Sequence, residues 1–349
     1  MFGEYKVPGG KLVTASLNVS DGKLANVQIA GDFFLEPGEA LVDICKSVEG
    51  LPEKATVEDI TTAIKQGVPP DTRFIGFTPE SVAIAIRRAL GVAKTWRDFE
   101  WQIIDPEPLA PSLHLAVDDV IAKEVAAGRR APTLRFWEWD RRSVIIGSFQ
   151  SLKNEVDLEA AKEHDVTIVR RMTGGGAMFQ EPGASITYSV YAPAELVADM
   201  TFEASYAFLD SWVVAGLKTL GVNAVYQPLN DIASDKGKIG GAAQKRYHGG
   251  AVLHHTMMAY NIDAQKMMQV LRIGREKLSD KGTASAAKRV DPLLSQTQME
   301  KADIKAHLIK TFIDLHGGAM GSITPEEMAA AEEIAAGKFS SKDWLEYIP

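Results

Sequence analysis

Residues 170–179 have the sequence RRMTGGGAMF, in which three consecutive glycines lie between two arginines and a hydrophobic strand. Because glycine has no side chain, the backbone amides of this loop can lie directly against a bulky anionic ligand. A second run, GKIGG at residues 237–241, places Lys238 between glycines, 62 residues after Gly176. This lysine supplies the fixed positive charge that a phosphate or carboxylate needs. The two runs together predict a site that activates an acyl group with a nucleotide.

The two runs differ from the common nucleotide-binding motifs. A Rossmann fingerprint needs a third glycine at a fixed offset after Gly176, but Ala177 and other non-glycine residues follow. A Walker A loop has Ser or Thr where Ile239 follows Lys238. A flexible turn and an ordinary exposed lysine are the simpler alternatives. The arginines beside the first run and the two glycines after Lys238 favour ligand binding instead.

Other residues with candidate chemistry lie near these runs. The dipeptide Asn230-Asp231, seven residues before Lys238, offers a carboxylate that could hold Mg²⁺ at the phosphates. His254 and His255 are adjacent on a predicted strand, so their side chains point to opposite faces and one of them could line the site. Cys45, the single cysteine, has apolar helical neighbours and is interpreted as a structural residue.

Composition limits the class of protein. A chain of 349 residues exceeds the usual single core, so two domains are expected. The hydrophobic fraction of 46% is that of a soluble protein, and no apolar run approaches the roughly 20 residues of a membrane span. The net charge of −8 argues against nucleic acid as a partner. With one cysteine and no secretory signal, we expect a cytoplasmic protein without membrane partners.

The predicted elements divide into two α+β domains. Residues 1–92 contain a β-hairpin around Asp21-Gly22-Lys23 and three short helices, and residues 93–100 form a linker. In residues 101–349, helices and strands alternate without a strict βαβ rhythm, which predicts a mixed β-sheet with flanking helices. The first helix of this second domain is predicted to be capped by Ser112 and to end at Gly128. The predicted hairpin strands span residues 11–19 and 24–29, and the three helices span 37–49, 56–66 and 79–90.

Five ordered motifs across residues 101–345 resemble the catalytic domain of the lipoate-protein ligases, in the lipoyl and biotinyl ligase and acyltransferase superfamily. The motifs are Trp139 followed by GSFQ at 147–150, the run at 170–179, Asn230-Asp231-Ile232, KIGGAAQKR at 238–246, and Leu253-His254-His255. The resemblance implies an α+β fold with a mixed sheet and a two-step reaction. ATP and lipoate would form lipoyl-AMP with release of pyrophosphate, and a carrier lysine would then attack this mixed anhydride.

The resemblance also implies roles for individual residues. Lys238 matches the family lysine that contacts the acyl carbonyl and the α-phosphate. Asn230 and Asp231 match the segment that binds the nucleotide and Mg²⁺, with Asp231 as metal ligand, and His255 matches a histidine next to the site. The residues that match the loops around the lipoyl tail and the adenylate are Arg170, Arg171, Thr173, Gly174, Gly175, Gly176, Ala177, Gly240, Gly241 and Ala242.

Residues 1–92, notably YKVPGGKLV at 5–13 and GDFF at 31–34, resemble the small accessory domain that ligases of this family need for activation. The implied partner is a lipoyl carrier: a 2-oxoacid dehydrogenase lipoyl domain, the glycine-cleavage H protein, or a lipoate-binding protein of sulfur oxidation. The chain departs from the family pattern at Gln180-Glu181 and at Thr256. The sequence leaves open both the carrier and the choice between lipoate and octanoate.

Three alternative functions compete with ATP-dependent ligation. Octanoyl or lipoyl transfer proceeds through a cysteine thioester in this superfamily, and residues 101–349 contain no cysteine to serve as the nucleophile. A non-catalytic protein that binds lipoyl carriers would have lost the cations, whereas Arg170, Arg171 and Lys238 are all present. Biotin ligation is disfavoured because the Gly-Arg-Gly-Arg type of loop is missing. We therefore expect an ATP-dependent lipoate-protein ligase.

Overall fold

A computed structural model describes residues 1–91, 94–198, 200–272 and 290–349, which fold as two compact units. The first unit comprises Met1–Asp98 and Glu195–Ser211, and the second comprises Phe99–Ala194 and Trp212–Pro349. The chain thus enters the second unit within the predicted linker. The return of Glu195–Ser211 to the first unit has no counterpart in the sequence-based division.

Sixteen strands are defined among the described residues. In chain order they are β1 Phe2–Lys6, β2 Leu12–Ser20, β3 Lys23–Gly31, β4 Phe34–Glu36, β5 Arg73–Ile75, β6 Gln102–Ile104, β7 Thr133–Trp137, β8 Ser143–Ile146, β9 Thr167–Arg170, β10 Met178–Gln180, β11 Ser185–Pro193, β12 Val225–Gln227, β13 Asp231–Ser234, β14 Gly237–Tyr247, β15 Ala251–Ala259 and β16 Ala319–Met320.

Thirteen α-helices are defined over the same part of the chain. They are α1 Ala40–Val48, α2 Val57–Gly67, α3 Pro79–Ala89, α4 Pro111–Ala126, α5 Leu152–Glu155, α6 Leu158–Glu163, α7 Phe202–Leu209, α8 Ser211–Thr219, α9 Ala264–Val270, α10 Leu293–Thr297, α11 Lys301–His316, α12 Pro325–Ile334 and α13 Lys342–Leu345. None of these helices combines the length and apolar character needed to cross a membrane.

The first unit is built on the antiparallel sheet β1-β2-β3, against which α1 and α3 pack. Asp21 and Gly22 join β2 to β3 with φ angles of 53° and 71°, the left-handed pair that a tight hairpin turn requires. The predicted hairpin and three helices are therefore confirmed. Helix α7 belongs to this unit because the ring of Phe208 lies 6.1 Å from that of Tyr5 and 5.4 Å from that of Trp96.

The second unit contains an eight-stranded sheet in the order β12-β13-β14-β15-β11-β7-β6-β16. Its neighbours pair antiparallel except for the parallel pairs β6–β7 and β16–β6, so the predicted mixed sheet is confirmed. A smaller sheet, β10-β8-β9, carries the run at 170–179 at the end of β9. Helix α4 packs on β11 and β15, and its buried face forms the main core of this unit together with side chains of those strands.

Two details of the predicted helices are wrong. Helix α4 begins at Pro111, one residue before the predicted cap Ser112, because proline is pre-organised for the first helical position. Gly128, with a φ of 67°, follows its last residues as expected. The apolar spacing of Phe208, Trp212, Val213, Leu217 and Leu220 predicts a single helix closed by Gly221, but the structure has two helices here, α7 and α8, separated at Asp210.

Candidate acyl-binding and activation site

A cavity of about 240 Å³ lies within the second unit, beside β14, β15 and the loop that follows β9. Its polar lining residues are Arg171, Thr187, Asn230, Lys238, His255 and Thr256. Its larger apolar lining residues are Leu115, Trp137, Ile145, Met178, Phe179, Ile239, Met257, Ile262, Met267, Leu271 and Val290. The side chain of Lys238 is 31% exposed, whereas Trp137 is 3% exposed, so the cation lies toward solvent and the apolar wall lies deeper. Such a cavity suits an apolar tail with an anionic head group.

The side chain of Arg171 stabilises the glycine-rich loop, residues 171–177, by hydrogen bonds to carbonyls of the loop itself. This side chain is 2% exposed, and its guanidinium donates to the carbonyls of Gly174 at 2.6 Å, Gly176 at 2.9 Å and Ile145 at 3.1 Å. Gly175 has a φ of 94°, a conformation that strongly favours glycine. A Cβ atom on Gly176, which lines the cavity, would meet no atom within 4 Å in the part of the chain that the structure describes.

Lys238 reaches the cavity from the second residue of β14. Its ammonium lies 2.8 Å from an Asp231 carboxylate oxygen, and a Cβ on Gly241 would come within 3.3 Å of the same ammonium. Asn230 donates its side-chain amide to the Ala242 carbonyl at 2.5 Å, and its own carbonyl accepts from the Ala242 amide. The predicted site residues Asp231 and Lys238 are therefore in direct contact, and so are Asn230 and Ala242.

His255 connects the cavity to the buried interior. Its Nδ1 lies 3.0 Å from Asp118, and its Nε2 lies 2.8 Å from the Thr173 hydroxyl. Burial lowers the pKa of His255, which favours a neutral ring. In the tautomer that satisfies all three groups, Nδ1–H donates to Asp118, Nε2 accepts from Thr173, and Thr173 Oγ1 accepts from Arg171 at 3.0 Å.

Sequence reasoning missed the buried acid beneath His255. Asp118 on α4 accepts a charge-assisted hydrogen bond from Arg135 at 2.7 Å and further bonds from Ser189 and Tyr191. Burial alone would raise the pKa of Asp118, but the bonds from His255 and Arg135 outweigh it and lower that pKa. The sequence signal for this buried pair was the presence of charged residues, Asp118 and Arg135, within the apolar runs of α4 and β7.

Several predicted site residues do not line the cavity. Arg170 is not one of the lining residues, and its guanidinium donates to the main-chain carbonyls of Gln150, Trp344, Leu345 and Ile348. The strand alternation at the end of β9 turns Arg170 and Arg171 to different sides. Thr173, Gly174, Gly175 and Asp231 are likewise not among the lining residues, whereas Gly176, Ala177, Gly240, Gly241, Ala242 and His255 line the cavity.

The predicted metal ligand, Asp231, does not belong to a ready-made metal centre. Among the described residues, no group of three or more His, Cys, Asp or Glu side chains is placed to hold a metal ion. The Asp231 carboxylate instead faces the Lys238 ammonium. Any cation here would therefore take most of its ligands from a bound substrate.

His114 makes the stability of this unit sensitive to acid. It is fully buried, and its ring lies 4.6 Å from that of Trp137. Its Nε2 donates to the main-chain carbonyl of Glu138, and its Nδ1 accepts from the Arg135 guanidinium. Burial, and then Arg135, lower the pKa of His114 from 6.5 to about 3. As the pH falls below about 6.5, His114 therefore becomes protonated in the unfolded chain but stays neutral in the folded chain. The free energy of unfolding decreases as a result.

We expect His114 to lower the free energy of unfolding by about 2 kcal/mol between pH ~6.5 and ~5, since one proton is worth about 1.4 kcal/mol per pH unit. Urea unfolding followed by tryptophan fluorescence measures this loss. The His114→Gln variant should lose less stability on acidification than the wild type, because glutamine takes up no proton in this pH range. Parallel pH profiles for the two proteins would contradict this assignment.

The fold and the site together define an α+β protein with an apolar cavity that is lined by a lysine and part of a glycine-rich loop. The family model of the lipoyl protein ligase A/B catalytic domain matches residues 110–313, and the chain belongs to this family. Octanoyltransferase LipM of Moorella thermoacetica is 28% identical over 277 residues, which cover 70% of this chain and 97% of the relative. The family resemblance drawn from the motifs is thus confirmed, and the protein is an enzyme of the lipoate ligase and octanoyltransferase group.

Two solved structures each resemble the chain over 72% of its length. A bi-partite lipoate-protein ligase of Thermoplasma acidophilum, described with its E2 lipoyl domain, has a TM-score of 0.63 and 30% identity, and the match covers 72% of this chain and 98% of that one. A lipoate-protein ligase A bound with ATP has a TM-score of 0.60 and 27% identity, covering 72% and 99%. The mixed α+β fold of the family is therefore shared.

Proposed function

We propose that the protein is an ATP-dependent lipoate-protein ligase that acts in the cytoplasm. The carboxylate of free lipoate attacks the α-phosphorus of ATP, pyrophosphate leaves, and lipoyl-AMP forms. A carrier lysine then attacks the acyl carbonyl carbon, AMP leaves, and the amine releases a proton as the amide forms. The observation that carries this proposal is the Lys238 ammonium at the edge of an apolar cavity, with the glycine-rich loop in the same cavity wall.

Each part of the site has a role in this reaction. The apolar wall buries the hydrocarbon tail, and each buried methylene group contributes about 0.8 kcal/mol to binding. The Lys238 ammonium stabilises negative charge that moves from the carboxylate to the mixed anhydride during activation. The open space at Gly176 lets the head group approach the loop backbone. Arg171 holds the loop in that shape through its bonds to two glycine carbonyls.

ATP is the proposed second substrate, as in the similar ligase that was solved with ATP. Mg²⁺ fits this site only in a limited way, since Asp231 is one carboxylate and it is paired with Lys238. Mg²⁺ needs only one or two protein carboxylates when nucleotide phosphates complete its shell. We therefore propose that Asp231, next to Asn230, holds the ion that neutralises the phosphates.

Octanoyl transfer is the second candidate, favoured by the similarity to octanoyltransferase LipM. A thioester route needs a cysteine thiolate as its nucleophile. The single cysteine of this chain, Cys45, lies on α1 in the first unit, and burial raises the pKa of its thiol. The second unit, which contains the whole cavity, has no cysteine. These observations support ligation with ATP over covalent transfer.

Intact-mass analysis of acyl carriers separates the two candidates. The purified protein would be incubated with an E2 lipoyl domain, a glycine-cleavage H protein or a sulfur-oxidation lipoate-binding protein, together with free lipoate or octanoate. We expect a carrier to gain the acyl mass only when Mg-ATP is present. Acylation from an octanoyl thioester without ATP would show that the protein is a transferase.

We further propose that the first unit takes part in activation. The archaeal ligase that resembles this chain is bi-partite, and nearly all of its solved chain matches only 72% of this one. The family match at residues 110–313 also leaves residues 1–92 outside. Because acyl adenylates hydrolyse, an accessory domain that excludes water from lipoyl-AMP would raise the yield of the first step.

Removal of residues 1–98 is expected to impair lipoyl-AMP formation more than transfer from preformed lipoyl-AMP. The truncated chain should also carry Phe208→Ser, because α7 otherwise loses the partners Tyr5 and Trp96 and exposes an apolar ring. Single-turnover rates of the two steps give the comparison, with full-length Phe208→Ser as the matched control. Equal losses in both steps would count against a role in activation.

A further inference from the structure

Arg170 links the glycine-rich loop to a distant part of the chain. The C-terminal segment, residues 344–349, accepts hydrogen bonds from its guanidinium at Trp344 (3.2 Å), Leu345 (2.8 Å) and Ile348 (2.8 Å). The other side of the same guanidinium donates to the carbonyls of residues 147, 148 and 150, the shortest at 2.6 Å to Gln150. Arg170 itself is fully buried. One side chain therefore joins two backbone segments that are remote in sequence.

Further hydrogen bonds join the C-terminal segment to Arg170 and to residues 151 and 152. The indole N–H of Trp344 donates to the Arg170 carbonyl at 2.8 Å, the Ser151 hydroxyl donates to the carbonyl of Pro349 at 2.5 Å, and the Leu152 amide donates to Ile348 at 3.2 Å. The segment is therefore fixed against Arg170 and residues 151–152, which directly follow the loop of residues 147–150.

The loop of residues 147–150 in turn supports the glycine-rich loop. The Ser148 amide donates to the Thr173 carbonyl at 2.9 Å. At Gly147 a Cβ atom would lie 2.1 Å from the Gly175 carbonyl oxygen, which shows how closely the two backbones approach. A displacement of residues 147–150 would therefore move the loop that lines the cavity.

We infer that the C-terminal segment braces the glycine-rich loop through Arg170, and that Arg170 is a positioning residue for the reaction although it does not touch the cavity. The inference rests on the proposed function only for its effect on rate. Arginine is required because its planar fork reaches carbonyls on both sides at once, whereas the single ammonium of lysine cannot. A small shift of a loop that positions reacting groups lowers the rate by about 100-fold.

Hydrogen–deuterium exchange of the full-length protein without substrate tests the brace directly. Arg170→Lys keeps the charge, Trp344→Phe removes only the indole donor, and Arg129→Lys, at an exposed arginine of the same unit, is the control. We expect exchange in residues 171–179 to accelerate about tenfold in Arg170→Lys and less in Trp344→Phe, with α11 unchanged. Faster exchange confined to residues 344–349, or spread equally over the whole chain, would overturn the inference.

Kinetics supply the second readout of the brace. We expect the kcat/KM for lipoyl-AMP formation to fall by about 100-fold in Arg170→Lys while Arg129→Lys retains the wild-type value. Wild-type kinetics in Arg170→Lys would also overturn the inference. A wild-type protein that forms no adenylate would instead contradict the proposed ligase function, and the exchange result would still decide whether the brace exists.

Discussion

The Lys238→Ala variant is expected to fold normally and to lose lipoyl-AMP formation by about 1,000-fold, the upper range for removal of one preorganised electrostatic group. The lysine side chain is 31% exposed, and its ion pair with Asp231 lies at the edge of the cavity. Its removal should therefore cost about 1 kcal/mol of stability or less. Lipoate-dependent release of pyrophosphate measures the catalytic loss, and thermal unfolding measures the change in stability.

Lys236→Ala is the matched control for this experiment. Lys236 is an exposed residue in the turn between β13 and β14, two residues before Lys238, and it does not line the cavity. Its variant should release pyrophosphate at the wild-type rate. The same rate in Lys238→Ala would show that the lysine does not take part in activation.

The Gly176→Val variant should be stable but should lose at least about 100-fold in lipoyl-AMP formation. A Cβ at Gly176, a lining residue of the cavity, meets no atom of the described residues within 4 Å, so the added side chain should fit the fold. The expected loss arises because that side chain occupies space that the head group needs beside the loop backbone, and misplacement of reacting groups by about 1 Å costs that factor. Titration calorimetry with lipoate and with ATP measures how far the variant weakens the binding of each substrate.

Gly337→Val is the control for added volume at a glycine with equally open surroundings. Gly337 lies in the π-helical turn Ala335–Phe339, and a Cβ there also meets nothing within 4 Å. The free energy of unfolding of both variants should stay within about 0.5 kcal/mol of the wild type. Full activity in Gly176→Val would show that the substrate head group does not approach this loop.

The residues around the cavity could be predicted because they lie in short runs with a local meaning. A glycine triplet and a glycine-flanked lysine indicate close approach of a ligand before any tertiary structure is known. Gly176, Lys238, Ala242 and His255 accordingly line one cavity. The mixed sheet could be predicted for a similar reason, since helices and strands alternate without the regular rhythm of a parallel sheet.

The buried charges could not be predicted, because their partners are remote in sequence. Asp118 lies in an amphipathic helix and Arg135 in a strand with apolar neighbours, so each reads as an exception to its pattern. The hydrogen bond between Asp118 and His255 joins residues that are 137 positions apart in sequence. Only the packing of α4 on β11 and β15 brings these side chains together.

The distinct roles of the two adjacent arginines also depend on tertiary structure. In sequence, Arg170 and Arg171 stand equally close to the glycines. The structure places Arg171 in the cavity wall, whereas Arg170 binds carbonyls of the C-terminal segment more than 170 residues away. The return of α7 to the first unit is a similar case, because it depends on the contact of Phe208 with Tyr5.

The central claim is that Lys238 and the glycine-rich loop stabilise the linkage between an acyl chain and AMP. Exchange of label between pyrophosphate and ATP, measured without any carrier protein, tests it most directly because it reports reversible adenylate formation alone. We predict exchange that requires lipoate or octanoate and that disappears in Lys238→Ala. Exchange that is absent from the wild type, or that persists unchanged in Lys238→Ala, would contradict the claim.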